Sequence, residues 1–200
     1  TFVKARAIGK QLFLDFDNGL SVRIHLGIYG KWRYYSKVEK EVVGQVRARF
    51  FTASAMADLR GPTICEVINS RQVKLLESKL GPDPTNSDPK KINQARFVER
   101  VLKSKSAIGL LLMNQSVLSG VGNVYRAELL FRAKISPHRS GDSLSEKQVV
   151  ALWQDSVALM KVGIAKGVMV TRQEQLASSK IHDERNYVYK REGLKCLRCR

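Results

Sequence analysis

Residues Ser106 to Arg139, SAIGLLLMNQSVLSGVGNVYRAELLFRAKISPHR, constrain this chain more than any other stretch. An apolar helical run stops at Asn114-Gln115. A short link ends in Gly120-Val121-Gly122-Asn123, and a second amphipathic run opens at once. Two glycines around one small residue, followed by Asn, leave backbone N–H groups uncovered where a helix begins. The partial positive charge of that end makes it an anion site. The same residues also suit a tight helix–helix turn with an ordinary cap.

The charge balance bears on which anion. Lys and Arg number 35 against 18 Asp and Glu, a formal net charge of +17. Such a chain is drawn to polyanions by counterion release and long-range steering. A hydrophobic fraction of 44% is enough for real cores. No apolar run reaches the roughly 18 residues of a membrane span, so no membrane partner is expected.

The first third reads as antiparallel strands. Leu12, Leu14 and Phe16 alternate with Phe13 and Asp15, Asp17-Asn18-Gly19 supplies a hairpin turn, and Val22, Ile24 and Leu26 alternate with Ser21, Arg23 and His25. Val46 to Phe51 and Leu59 to Ile68 give further strands. Helices are expected over Ser70–Leu80, Asn93–Lys103, Ala107–Asn114, Asn123–Ala133 and Ser145–Lys166, and a short strand and turn over Asn186–Gly193. The fold class expected is α+β: an antiparallel β-sandwich or barrel followed by a helical domain. The divisions are residues 1–84, 85–185 (after a polar linker from Thr85 to Lys91) and 186–200.

Of three cysteines, Cys65 in TICEVI reads as a buried small hydrophobe. Cys196-Leu197-Arg198-Cys199 has metal-knuckle spacing. It is half of a tetrahedral site, and a redox or incidental pair is the alternative.

The string NQSVLSGVGNVYRAELLFRAKISPHR closely resembles the helix–two-turn–helix segment of the formamidopyrimidine-DNA glycosylase / endonuclease VIII family. The resemblance runs from about Ala5 to Cys199, and DLRGP in place of the purine-directed branch's Arg-Arg-Phe-Gly points to the bacterial endonuclease VIII side. It implies a base excision repair glycosylase / abasic-site lyase. Such an enzyme excises oxidised bases through a Schiff base and cleaves the strand by β,δ-elimination. The expected partner is double-stranded DNA carrying oxidised bases or abasic sites, in a cleft between the domains. The protein would be a monomer in the bacterial cytoplasm, at the nucleoid.

By the same resemblance, Lys10 in IGKQLFLDF contacts DNA near the lesion and supports catalysis. Ile28 and Tyr29, which by their own residue types would also suit packing on the sheet, fill the gap left by an everted base, a step costing a few kcal/mol. Arg60 approaches the lesion, and Asn123, helped by Gly120 and Gly122, holds a phosphate. Arg126, Arg132 and Lys134 add phosphate contacts or form a solvated basic face. Tyr125, Glu128 and Leu129 support helix packing, and His25 is a structural hydrogen-bonder. Cys196 and Cys199 match the first ligand pair of a structural zinc (Zn2+) finger. The family's nucleophilic proline and its following glutamate do not occur here, since the chain opens Thr1-Phe2-Val3-Lys4 and its first proline is Pro62. A chain truncated at both ends, and inactive alone, is therefore expected. The competing reading is a non-catalytic nucleic-acid binder, either a damage sensor or a ribosomal-type helix–two-turn–helix protein.

Overall fold

In a computed structural model, residues 1–38, 41–178 and 184–199 are described, and they divide into two compact units, Thr1–Lys79 and Leu80–Arg200. The strands of the first unit are β1 (Phe2–Ile8), β2 (Gln11–Phe16), β3 (Leu20–His25), β4 (Lys31–Tyr35), β5 (Ala48–Phe51), β6 (Met56–Arg60) and β7 (Ile64–Asn69), and α1 covers Ser70–Lys79. Two antiparallel sheets result, ordered β1-β2-β3-β7 and β4-β6-β5.

The period-two pattern explains how the first sheet is covered. Phe13 on one face of β2 is fully buried with Ile68 and with Val73 of α1. Leu12, Leu14 and Phe16 on the other face line an apolar cavity of about 720 Å³, opposite Trp32, Phe50 and Met56 of the second sheet. β2 is thus apolar on both faces. Cys65, expected to be buried, is half-exposed on β7.

The second unit is helical: α2 (Ile92–Leu102), α3 (Ile108–Leu111), α4 (Asn123–Ala133) and α5 (Glu146–Lys166). Phe97, Val101, Ile108, Leu112, Leu118, Val121, Leu129, Leu152 and Leu159 form one buried cluster. Burial of such side chains contributes about 1.5–3 kcal/mol each before entropy is counted. α5 starts where the sequence places it because Ser145 and Gln148 form a reciprocal capping box. It stops at Gly167, whose φ of 66° ends the helix in the left-handed region.

Three sequence expectations shift. α3 ends at Leu111, short of Asn114, because Asn114 turns its side chain to the amide and hydroxyl of Ser116. The change of unit falls at residues 79/80, ahead of the polar linker, because the next residues are already stitched to the helical unit: Gly81 N–H donates to Gln115 O at 2.8 Å and Ser119 N–H to Pro82 O at 3.0 Å. Residues 184–199 group with that unit too, and 186–193 form turns instead of a strand. No helix among the described residues is long and apolar enough to cross a membrane.

Candidate nucleic-acid interface

The glycine turn is built around Gln115. Its side-chain NH2 donates to the Met113 and Val121 carbonyls at 3.0 Å, and its oxygen accepts from the Gly120 amide at 3.0 Å. Ser119, fully buried, ties the turn to Gly81 O at 3.0 Å. Gly120 has φ 91°, a conformation that favours glycine. The Gly120 amide is therefore spent inside the turn, contrary to the idea that it lies bare.

The open donors come three residues later. The amides of Asn123 and Val124 have no acceptor among the described residues, as the first turn of a helix dictates. Gly122, at φ −126°, adopts a backbone that any residue could adopt. What its glycine provides is the lack of a side chain beside those amides. Asn123 is exposed, and its side-chain Oδ1 accepts from the Arg126 guanidinium, which leaves its NH2 group without an acceptor among the described residues. At the other side of α4 the Tyr125 hydroxyl is buried against α5, 3.4 Å from Leu159 O, and burial pushes its pKa up to about 12. Gly163 makes room for it: a Cβ there would stand 2.2 Å from the Tyr125 oxygen.

In the strand unit three connections meet at one end. Lys10 is at the tip of the β1–β2 hairpin, where Gly9 takes φ 58°. Its backbone carbonyl lies 2.9 Å from His25 Nδ1 at the end of β3. The Lys10 ammonium is half-buried, and loss of hydration lowers its pKa. The β3–β4 loop follows His25 directly and lifts Ile28 and Tyr29 into solvent, 90% and 83% exposed. Two large apolar side chains at one loop tip are the kind of exposure that marks a contact surface.

This loop is braced from behind by the β6–β7 connection. Thr63 N–H donates to Leu26 O at 3.3 Å, and a Cβ on Gly27 (φ 67°) would meet Thr63 Oγ1 at 1.8 Å.

Arg60 does not stand beside these tips as a free cation. Its side chain is 17% exposed and donates at 3.1 Å to Asp58, a fully buried carboxylate that also accepts from Arg49 at 2.7 and 3.1 Å. Arg49 first, and then Arg60, hold the Asp58 carboxyl below its ordinary value. Arg60 is thus a brace of β6. Arg132 is likewise committed, bidentate to Asp155 at 2.7 and 2.8 Å and bonded to Thr171 O at 2.8 Å, so it is no solvated phosphate contact. Lys134 closes α4 at φ 54°.

The residue that sequence reasoning undervalued is Glu128. Fully buried on α4, its carboxylate accepts the amides of Tyr187, Val188 and Tyr189, each at 2.8 Å, and the Thr171 hydroxyl at 2.6 Å. Three consecutive amides converging on one carboxylate cannot belong to a strand, whose amides alternate in direction. That is why 186–193 turns. The only hint in the sequence is an acid on the apolar side of YRAELLF.

Beyond this turn, Cys196 and Cys199 share a tight bend. The Arg198 amide donates to Cys196 Sγ at 3.4 Å. Amide donors from Cys199 and Arg198 lower the Cys196 thiol pKa, while the neighbouring Cys196 raises that of Cys199. The pair can offer two thiolates to a metal. No group of three or more His, Cys, Asp or Glu gathers among the described residues, so half of a tetrahedral donor set is present.

The expected site residues therefore fall into groups by unit. Lys10, Ile28 and Tyr29 share one end of the strand unit, with Arg60 behind them. Gly120, Gly122 and Asn123 open α4, and the cysteine pair lies by its last turn, about 16 Å along an 11-residue helix.

Comparison with known proteins follows the same lines. A family profile described as the formamidopyrimidine-DNA glycosylase H2TH domain matches residues 80–184. Endonuclease 8 1 of Mycobacterium tuberculosis (strain ATCC 25618 / H37Rv) is 43% identical over 204 residues, covering 98% of this chain and 75% of that protein. The formamidopyrimidine-DNA glycosylase of Listeria innocua is 30% identical over 202 residues, covering 97% and 72%. Among solved structures, the complex of Lactococcus lactis Fpg with abasic-site DNA superposes with a TM-score of 0.81 at 26% identity, covering 100% of this chain and 74% of that one. The same enzyme bound to Fapy-dG DNA gives 0.80, also at 26%.

Proposed function

Because the chain belongs to the formamidopyrimidine-DNA glycosylase / endonuclease VIII family, we propose that it serves base excision repair as a DNA glycosylase / abasic-site lyase acting on oxidised bases in double-stranded DNA. The observation that carries this reading is the start of α4. The Asn123 and Val124 amides and the Asn123 side-chain NH2 group, all without an acceptor among the described residues, follow a glycine with no side chain. A DNA phosphate fits that donor set and the helix-end charge.

Each chain element has a role in this reading. The phosphate at Asn123 fixes the strand. Ile28 and Tyr29 enter the stack where the base leaves it and replace its lost contacts, as apolar wedges do in other kinked duplexes. Lys10, on its braced hairpin tip, supplies a cation to the backbone beside the lesion. Cys196 and Cys199 hold one side of a structural zinc ion, which when bound cross-links the turn that carries them.

Schiff-base formation and β,δ-elimination need a nucleophilic amine and a proton-shuttling carboxylate. The family's proline and glutamate for these steps have no counterpart in residues 1–200. We assign these residues DNA binding and lesion exposure, and expect no turnover from them alone. Non-catalytic damage sensing is the alternative that this division of labour leaves.

The test is fluorescence anisotropy of residues 1–200 with a duplex containing a tetrahydrofuran abasic analogue, beside the intact duplex and a structured RNA. A clear preference for the abasic duplex, weakened by Asn123→Ala, is expected. Equal affinity for all three, or preference for the RNA, would remove the repair assignment.

A further inference from the structure

Arg198 lies inside the cysteine turn, and its side chain leaves that turn for α4. The guanidinium carbon stands 4.5 Å from the centroid of the Phe131 ring and 5.5 Å from that of Tyr187. The two rings are themselves 5.3 Å apart, at 34°. Nη1 donates to the Phe131 backbone carbonyl at 3.1 Å, while the Arg198 amide donates to Cys196 Sγ. Tyr187, one wall of this pocket, is pinned through its own amide to Glu128. The segment 187–198 is thus tethered to a single helix at both its ends, through bonds that involve no metal.

We propose that Arg198 is a positioning residue: it docks the Cys196–Cys199 turn onto the last turn of α4 independently of metal, so that a cation meets thiols already in place. The inference rests on the reading of that pair as half of a metal site.

The chemistry of arginine suits the position. Phe131 O belongs to the last turn of α4, where it accepts the Lys134 amide at 3.2 Å, keeps a second lone pair for the guanidinium, and lies at the helix end that favours a cation. A planar guanidinium can lie over two rings and still donate in its own plane. An ammonium offers no such plane. Holding the turn beforehand removes part of the ordering entropy from metal binding. It also fixes where the cysteine turn stands relative to α4, the helix whose other end presents Asn123.

Amide hydrogen exchange on EDTA-treated protein tests the latch without metal. Wild type, Arg198→Ala and Arg198→Lys are compared over residues 187–199, with α2 and α5 as internal references. Arg198→Ala is expected to speed exchange of 187–199 by about tenfold while α2 and α5 keep their rates. Arg198→Lys should leave most of that increase in place. Zinc release to a colorimetric chelator should accelerate in the same order.

Unchanged exchange in Arg198→Ala overturns the proposal. So does faster exchange spread evenly through α2 and α5, which would make Arg198 a general stabiliser. Elemental analysis of the wild-type protein separates the two claims. Protected 187–199 amides in a protein that binds no zinc would keep the latch and discard the metal site.

Discussion

His25 Nδ1 lies 2.9 Å from the backbone carbonyl of Lys10, so the end of β3 holds the tip of the β1–β2 hairpin through one hydrogen bond. A carbonyl only accepts, which makes Nδ1 the protonated ring nitrogen. The bond fixes the backbone that carries the Lys10 ammonium. His25→Ala should cost about 1 kcal/mol of stability and weaken binding to an abasic duplex. In a Lys10→Met background the same change should cost no further affinity. Additive losses in the double-mutant cycle would show that His25 acts elsewhere.

Lys10 carries a pH signature. Burial lowers its pKa in the free protein, so the charged form is already disfavoured there. A nearby phosphate favours the charged form and raises the pKa again. Binding therefore takes up a proton, and affinity falls as pH rises through the lowered value of the free protein. On the alkaline side, as pH rises through that lowered value, the wild type should lose affinity more steeply than Lys10→Arg, which stays charged. Parallel pH profiles would place Lys10 away from the phosphates.

The two glycines before α4 should behave differently. Gly120 has φ 91°, and alanine there costs about 1–2 kcal/mol through its left-handed backbone. Gly122, at φ −126°, accepts alanine without backbone strain. Gly122→Val should leave the denaturation midpoint nearly unchanged and lower DNA affinity, because the side chain stands over the Asn123 and Val124 amides. Full affinity in Gly122→Val would exclude a phosphate at that helix end.

Ile28 and Tyr29 contribute little to stability at 90% and 83% exposure. The double change to alanine should shift it by no more than about 0.5 kcal/mol. If they fill a vacated base position, that protein should lose its preference for the abasic duplex over the intact one, while binding to intact DNA stays close to wild type. An equal loss on both duplexes would indicate a general contact.

Glu128 is the opposite case, invisible to DNA and central to the fold. Glu128→Gln replaces a carboxylate that accepts four donors with an amide carrying its own N–H groups. At least one backbone amide then faces a donor, at a cost of about 3 kcal/mol. Urea denaturation measures it, and a change under about 0.5 kcal/mol would mean the carboxylate is dispensable.

The elements that declare themselves locally were legible in the sequence. α4 and α5 follow from glycine, serine and apolar spacing, whereas the residues alone leave Ile28 and Tyr29 equally able to pack on the sheet, and their place at a loop tip comes from the family resemblance. Elements whose signal is non-local were not. β4, KWRYY, alternates cation and ring over Lys31–Tyr34 but is only five residues long, and it is held by β6, which pairs with it from Lys31↔Arg60 to Tyr35↔Met56. Arg60 reads, by resemblance, as a DNA contact near the lesion until Asp58 is seen buried beside it. The turn at 187–189 is decided by a carboxylate 59 to 61 residues away. Local propensity for Tyr-Val-Tyr points to a strand, and the buried charge overrides it.

Borohydride trapping with the natural gene product would capture the Schiff base itself, using duplexes that carry an abasic site, an oxidised pyrimidine or 8-oxoguanine. A covalent protein–DNA adduct is expected from the gene product and none from residues 1–200 alone, whose first proline is Pro62. Tight lesion binding with no adduct from either would contradict the enzyme assignment and leave a damage sensor.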